Sequence, residues 1–176
     1  IGPAGPKDGV PTILVTPSDA LEEAAELTSL AARLFDEDIP IRIIVKYHPR
    51  MPFEKLSSLV KINLPNHIKI VDKPIMKLMR DSSMMIYSGS TVAFQALALG
   101  LPSIHVITQL DLDLDPLDGA RDSRLEAMGL EELRDKILWL LDNREEYIDQ
   151  HEKGWKSLAD SAFGPVTQET YDAFVN

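Results

Sequence analysis

Short apolar runs alternate along this chain with longer stretches that are apolar on one side only. The short runs lie at residues 12–16, 41–46, 68–71, 84–87 and 102–107 and are rich in Ile, Val, Met and Leu. Runs of this length without polar alternation read as strands buried on both faces. Between them, Leu21, Ala24, Ala25, Leu30, Ala31, Leu34 and Phe35 recur at helical spacing. Residues 53–59, 75–80 and 90–99 carry further helix patterns, and 130–141 and 144–158 read as two closing helices. Strands alternating with helices predict an α/β, Rossmann-like, doubly wound parallel sheet with helices on both faces, closed by the C-terminal helices. Asp19 with Glu22 three residues later predicts a capping box at the first helix. Residues 110–122 read as an acidic loop, and a last helical turn is expected near 169–174.

The 176 residues suit one large domain or two small ones. The opening Ile1-Gly2-Pro3-Ala4-Gly5-Pro6 is rich in Gly and Pro, so residues 1–11 read as a linker from a missing N-terminal domain, and 12–176 as the domain. A net charge of −10 argues against a nucleic-acid partner, which needs a basic face. With no cysteine the chain has neither disulfides nor thiolate metal sites. No apolar run reaches the ~18 residues of a membrane span, and no signal-peptide pattern is present. A cytoplasmic location is expected, with peripheral attachment to the inner membrane only through the rest of the protein.

In a doubly wound sheet the ligand lies outside the carboxyl ends of the strands. Thr16 and Ser18 follow the first strand, and Lys46, His48 and Arg50 the second. Asp72 and Lys73 follow the third, and Ser88, Gly89, Ser90 and Thr91 the fourth. Each has an ordinary structural role open to it. His48 before a proline suits a turn, Ser90 and Thr91 suit helix N-caps, and Lys46 suits a solvated strand end. Gathered at one edge of an acidic protein, these cations, hydroxyls and turn amides suit a phosphate or diphosphate. The loop 111–122 places Asp at calcium-loop positions one, three, five and twelve, but Pro116 stands where the turn glycine belongs. His48, His67, His105 and His151 show no metal-ligand spacing, so no metal is expected. Trp139 and Trp155 sit on helical faces and read as packing residues.

The stretch from Ser88 through Gln95-Ala96-Leu97-Ala98-Leu99-Gly100-Leu101-Pro102 resembles the donor-binding segment of GT-B glycosyltransferases, where a small-residue turn precedes Glu-Ala-Leu-Ala-x-Gly-x-Pro. Lys46-Tyr47-His48-Pro49-Arg50 resembles the His-Pro motif of bacterial sialyl-, polysialyl- and capsule-type transferases, and Ser90-Thr91 their Ser-Ser/Thr motif. The resemblance implies a C-terminal donor domain that binds a nucleotide sugar as substrate and needs no separate cofactor. His48 would carry the catalytic contact to the donor phosphate. Lys46, Arg50, Asp72, Lys73, Ser88, Gly89, Ser90, Thr91 and Gln95 would bind the donor, with residues 71–75 facing the nucleobase. Gln95 departs from the family's Glu, which commonly bonds the donor ribose. The acceptor, a glycan or lipid-linked sugar, would be held by the missing N-terminal domain, leaving this chain inactive by itself. A nucleotide-sugar epimerase or hydrolase, and a non-enzymatic partner module, are the alternatives on the same fold.

Overall fold

The structure, a computed structural model, describes residues 5–109 and 115–164. The strands are β1 (Thr12–Thr16), β2 (Arg42–Val45), β3 (Lys69–Ile70), β4 (Met84–Tyr87), β5 (Ser103–Val106) and β6 (Leu125–Ala127). They form one sheet in the order β3-β2-β1-β4-β5-β6, with every neighbouring pair parallel. This is the doubly wound Rossmann arrangement, with β1 and β4 at the point where the order reverses. Every residue of β1, β4 and β5 is buried, as expected of strands covered on both faces.

The helices are α1 (Leu21–Ala31), α2 (Phe53–Leu59), α3 (Ile75–Arg80), α4 (Val92–Ala98), α5 (Gly129–Asp142) and α6 (Arg144–Phe163). Right-handed crossovers on either side of the reversal place α1 and α2 on one face and α4 on the other. The Arg134 guanidinium on α5 donates to the carbonyls of Arg33 and Leu34, tying α5 to the end of α1. α6 crosses back to pack on α4. Ile13, Leu14, Leu27, Ile43, Met84, Ile86, Ile104, Leu133 and Ile137 belong to one continuous core.

The first helix departs from expectation at its start. Its N-cap is Ala20 and no side chain caps it. Asp19 instead pairs with the Arg50 guanidinium, and the Ser18 hydroxyl accepts from the Ala20 amide. A flexible carboxylate next to a cation has a stronger partner than a backbone N–H, so the capping box does not form. Within the expected acidic loop, Asp118–Ser123 form 3-10 turns, interrupted by a kink at Ala120, that lead into β6. Trp155 is fully buried, whereas Trp139 is half-exposed and only edges onto Tyr147, at 6.0 Å between ring centres. The turn expected near 169–174 lies outside the described residues, as do residues 111–114 of the calcium-loop pattern.

Candidate functional site

The chain leaves β2 through Lys46, Tyr47 and His48. Tyr47 turns inward, where its hydroxyl lies 3.2 Å from the Thr28 hydroxyl on α1 and its ring 5.5 Å from that of Phe53. Burial pushes its phenol up to about 12. With Tyr47 anchored, the residues on either side of it reach a cavity of about 550 Å³ at the carboxyl edge. Lys46, His48, Asp72, Lys73 and Ser90 line this cavity beside Thr16. Loops after β1, β2, β3 and β4 therefore converge on one space, as the fold requires.

Geometry sets the chemistry of each group. The Nδ1 of His48 accepts the Arg50 amide at 3.2 Å. A neutral ring with Nδ1 accepting carries its proton on Nε2, so His48 offers a donor on its other side. Lys46 Nζ lies 2.5 Å from Asp72 Oδ1, and this hydrogen bond holds the Asp72 carboxyl below the usual carboxylate range. Lys73 is exposed and has no ion pair among the described residues. The hydroxyl of Ser90 has no hydrogen bond among the described residues, and its amide folds back on the Ser88 carbonyl at 2.6 Å.

The remaining expected residues lie around this lining rather than in it. Arg50 is exposed and held by Asp19. Ser88 is buried, with no hydrogen-bond partner for its hydroxyl among the described residues, and Gly89 continues the turn after it. Thr91 is the exposed N-cap of α4 but caps nothing with its side chain, so the ordinary N-cap reading fails there too. Gln95 is half-buried on α4, with its Oε1 buried and without a hydrogen-bond partner among the described residues. The sequence did not point to Tyr47 as the anchor or to Pro17 and Pro49 as cavity walls, whereas Ile75, from the 71–75 loop expected at the ligand, is one of those walls.

A second polar cluster lies at the ends of β4 and β5. The carboxylate of Asp115, fully buried, accepts the Tyr87 hydroxyl and the Leu117 amide, each at 3.0 Å. The buried Arg124 guanidinium bonds Asp115 and reaches Glu126 at 2.9 Å, and His105 Nδ1 lies 3.6 Å from Asp115. Burial, followed by the Asp115 charge, raises the Tyr87 phenol far above its ordinary value. His105, Asp115 and Glu126 each bring one ligand atom within 4.8 Å of the others. Arg124 bonds both carboxylates there and already supplies the positive charge a cation would bring. The cluster clamps the segment after residue 114 onto the sheet. Its only sequence sign was an Asp-rich loop, because nothing in the order of residues tells which carboxylate turns inward.

Neither a protein-family model nor a curated protein matches the chain. Solved structures do. The glycosyltransferase SnogD from Streptomyces nogalater superposes with a TM-score of 0.62 at 20% identity, over 97% of this chain and 44% of its own. The fold is that of a GT-B glycosyltransferase domain. The spinosyn rhamnosyltransferase SpnG gives a TM-score of 0.62 at 18% identity, over 90% of this chain and 43% of its own. The catalytic domain of the cholesterol-alpha-glucosyltransferase from Helicobacter pylori gives 0.52 at 15% identity, over 88% of this chain and 99% of that one. This chain thus spans about two fifths of the length of SnogD and SpnG. At such identities the likeness is one of fold. Among the described residues, no helix is long and apolar enough to cross a membrane.

Proposed function

We propose that this chain is the donor-binding half of a sugar transferase and takes a nucleotide sugar into the cavity at the carboxyl edge. One observation carries the reading: Lys46, His48, Lys73 and Ser90, from three separate strand ends, line one cavity with groups that can hold an anion. A donor phosphate there would accept the Nε2 proton of His48 and lie near the Lys46 and Lys73 ammonium groups. As the bond to the sugar breaks, negative charge grows on the leaving phosphate, and donors already in place stabilise it without reorganising. His48 is the catalytic residue of this scheme because it touches the atoms on which charge develops. The walls at Pro74 and Ile75 suit the flat face of a nucleobase. The acceptor, a glycan or lipid-linked sugar, would be held by a companion domain. The His-Pro and Ser-Thr pattern of Lys46 to Arg50 and Ser90-Thr91 supports a transferase of the sialyl-, polysialyl- or capsule type.

The test is calorimetric titration of the chain with UDP, CMP and GDP. At least one is expected to bind at millimolar concentration or tighter, and His48→Ala to weaken it roughly tenfold, the scale of a charge-assisted hydrogen bond. Failure of all three nucleotides to bind, with no response to His48→Ala, overturns the reading.

A further inference from the structure

Lys46 and Asp72 stand between two cavities. The larger is the space of about 550 Å³ described above, and the smaller, about 310 Å³, is walled by Pro52, Phe53, Ile70 and Val71. Lys46 and Asp72 line both. The two members of this pair are unequal. The Lys46 side chain is 21% exposed and runs off the end of β2, whereas Asp72 is 98% exposed on the loop after β3. A confined ammonium thus faces a hydrated carboxylate that moves at little cost, since an exposed ion pair is weakly held. An anion entering the larger cavity needs Lys46 and meets Asp72 already bonded to it.

We infer that Asp72 is a specificity-determining residue: it occupies Lys46 as an internal counter-anion that an incoming phosphate must displace. The inference rests on the phosphate-binding part of the donor reading of this cavity. An anion offering only its charge replaces one carboxylate by another and gains nothing. A diphosphate also reaches the Nε2 proton of His48, the Lys73 ammonium and the Ser90 hydroxyl, and those contacts drive the exchange. The displaced Asp72 carboxylate returns to water, where it was already almost wholly exposed.

The test uses inorganic pyrophosphate, titrated at fixed ionic strength into the chain, Asp72→Asn, Lys46→Gln and the double variant, with UDP, CMP and GDP titrated alongside. Asp72→Asn should tighten pyrophosphate binding roughly two- to fivefold, the scale of an exposed ion pair, and the gain should vanish when Lys46 is Gln. Unchanged or weaker binding by Asp72→Asn overturns the inference, since Asp72 would then merely hold Lys46 in place. A gain that persists without Lys46 also overturns it, because it reports general repulsion. If pyrophosphate behaves as expected while no nucleotide binds, the donor reading falls and this inference stands. If a nucleotide binds wild type but Asp72→Asn leaves pyrophosphate unaffected, the donor reading stands and this one falls. If none of the four proteins binds pyrophosphate or a nucleotide, both fall.

Discussion

His48 shows how one backbone contact can assign a side chain its chemistry. The Arg50 amide occupies Nδ1, so the ring has a donor and no acceptor to offer the cavity. Arg124 shows the opposite situation, a charge committed wholly to the interior. It has no exposed side-chain surface, and neither has its partner Asp115. Arg124→Met would leave Asp115 buried beside Glu126 without its cation. The expected cost is about 3–5 kcal/mol, read from urea denaturation. A loss under 1 kcal/mol would show that water or His105 replaces the guanidinium. At this scale the sequence was informative about residue type and position along the strands. Lys46, His48, Asp72, Lys73 and Ser90 could be placed at one edge because strand ends are periodic and short. The exclusion of Arg50 and Gln95 from the lining was not legible. It depends on Asp19 reaching Arg50 and on which way α4 rolls, and both are settled by tertiary contacts.

The helix after β4 is held at its end as much as at its beginning. Gly100 has φ +64°, its amide bonds the Leu97 carbonyl at 2.9 Å, and the Leu101 amide bonds Ala96 at 2.9 Å. These two bonds form a Schellman motif, in which the left-handed residue is best a glycine. Gly100→Ala should cost about 1–2 kcal/mol in thermal or urea unfolding. An unaltered midpoint would refute the strain argument. Helices α2 and α3 and strand β4 were legible to the residue, because Pro52, Pro74 and the apolar run mark their limits. β6 was not. Its three residues, Leu125, Glu126 and Ala127, form no apolar run, and they become a strand only because the β5 edge is there to pair with. The capping box was misread for a related reason, since local spacing says nothing about a cation arriving from the loop after β2.

For the molecule as a whole, Tyr47, Tyr87 and Tyr147 report on the core. Burial raises Tyr47 and Tyr147 to about 12 and Tyr87 further still. An unfolded tyrosine loses its proton near pH 10, so above that pH the unfolded chain binds fewer protons than the folded one. Stability is therefore fully present below pH 10 and falls as pH rises from 10 through about 12. Phenolate absorbance should appear in step with the loss of helical circular dichroism. Gradual ionisation of these three residues at pH 10 in a chain still folded would contradict their burial. The strand order has a consequence of its own. β1 sits mid-sheet, and the Thr12 amide bonds the Ser83 hydroxyl 71 residues further on. A nascent chain can lay β2 beside β1, and β3 beside β2, early. The other side of that strand, apolar on both faces, stays bare until Met84 to Tyr87 have been synthesised. Premature release or a stall in that interval would leave a sticky half-sheet, the kind of intermediate on which chaperones act.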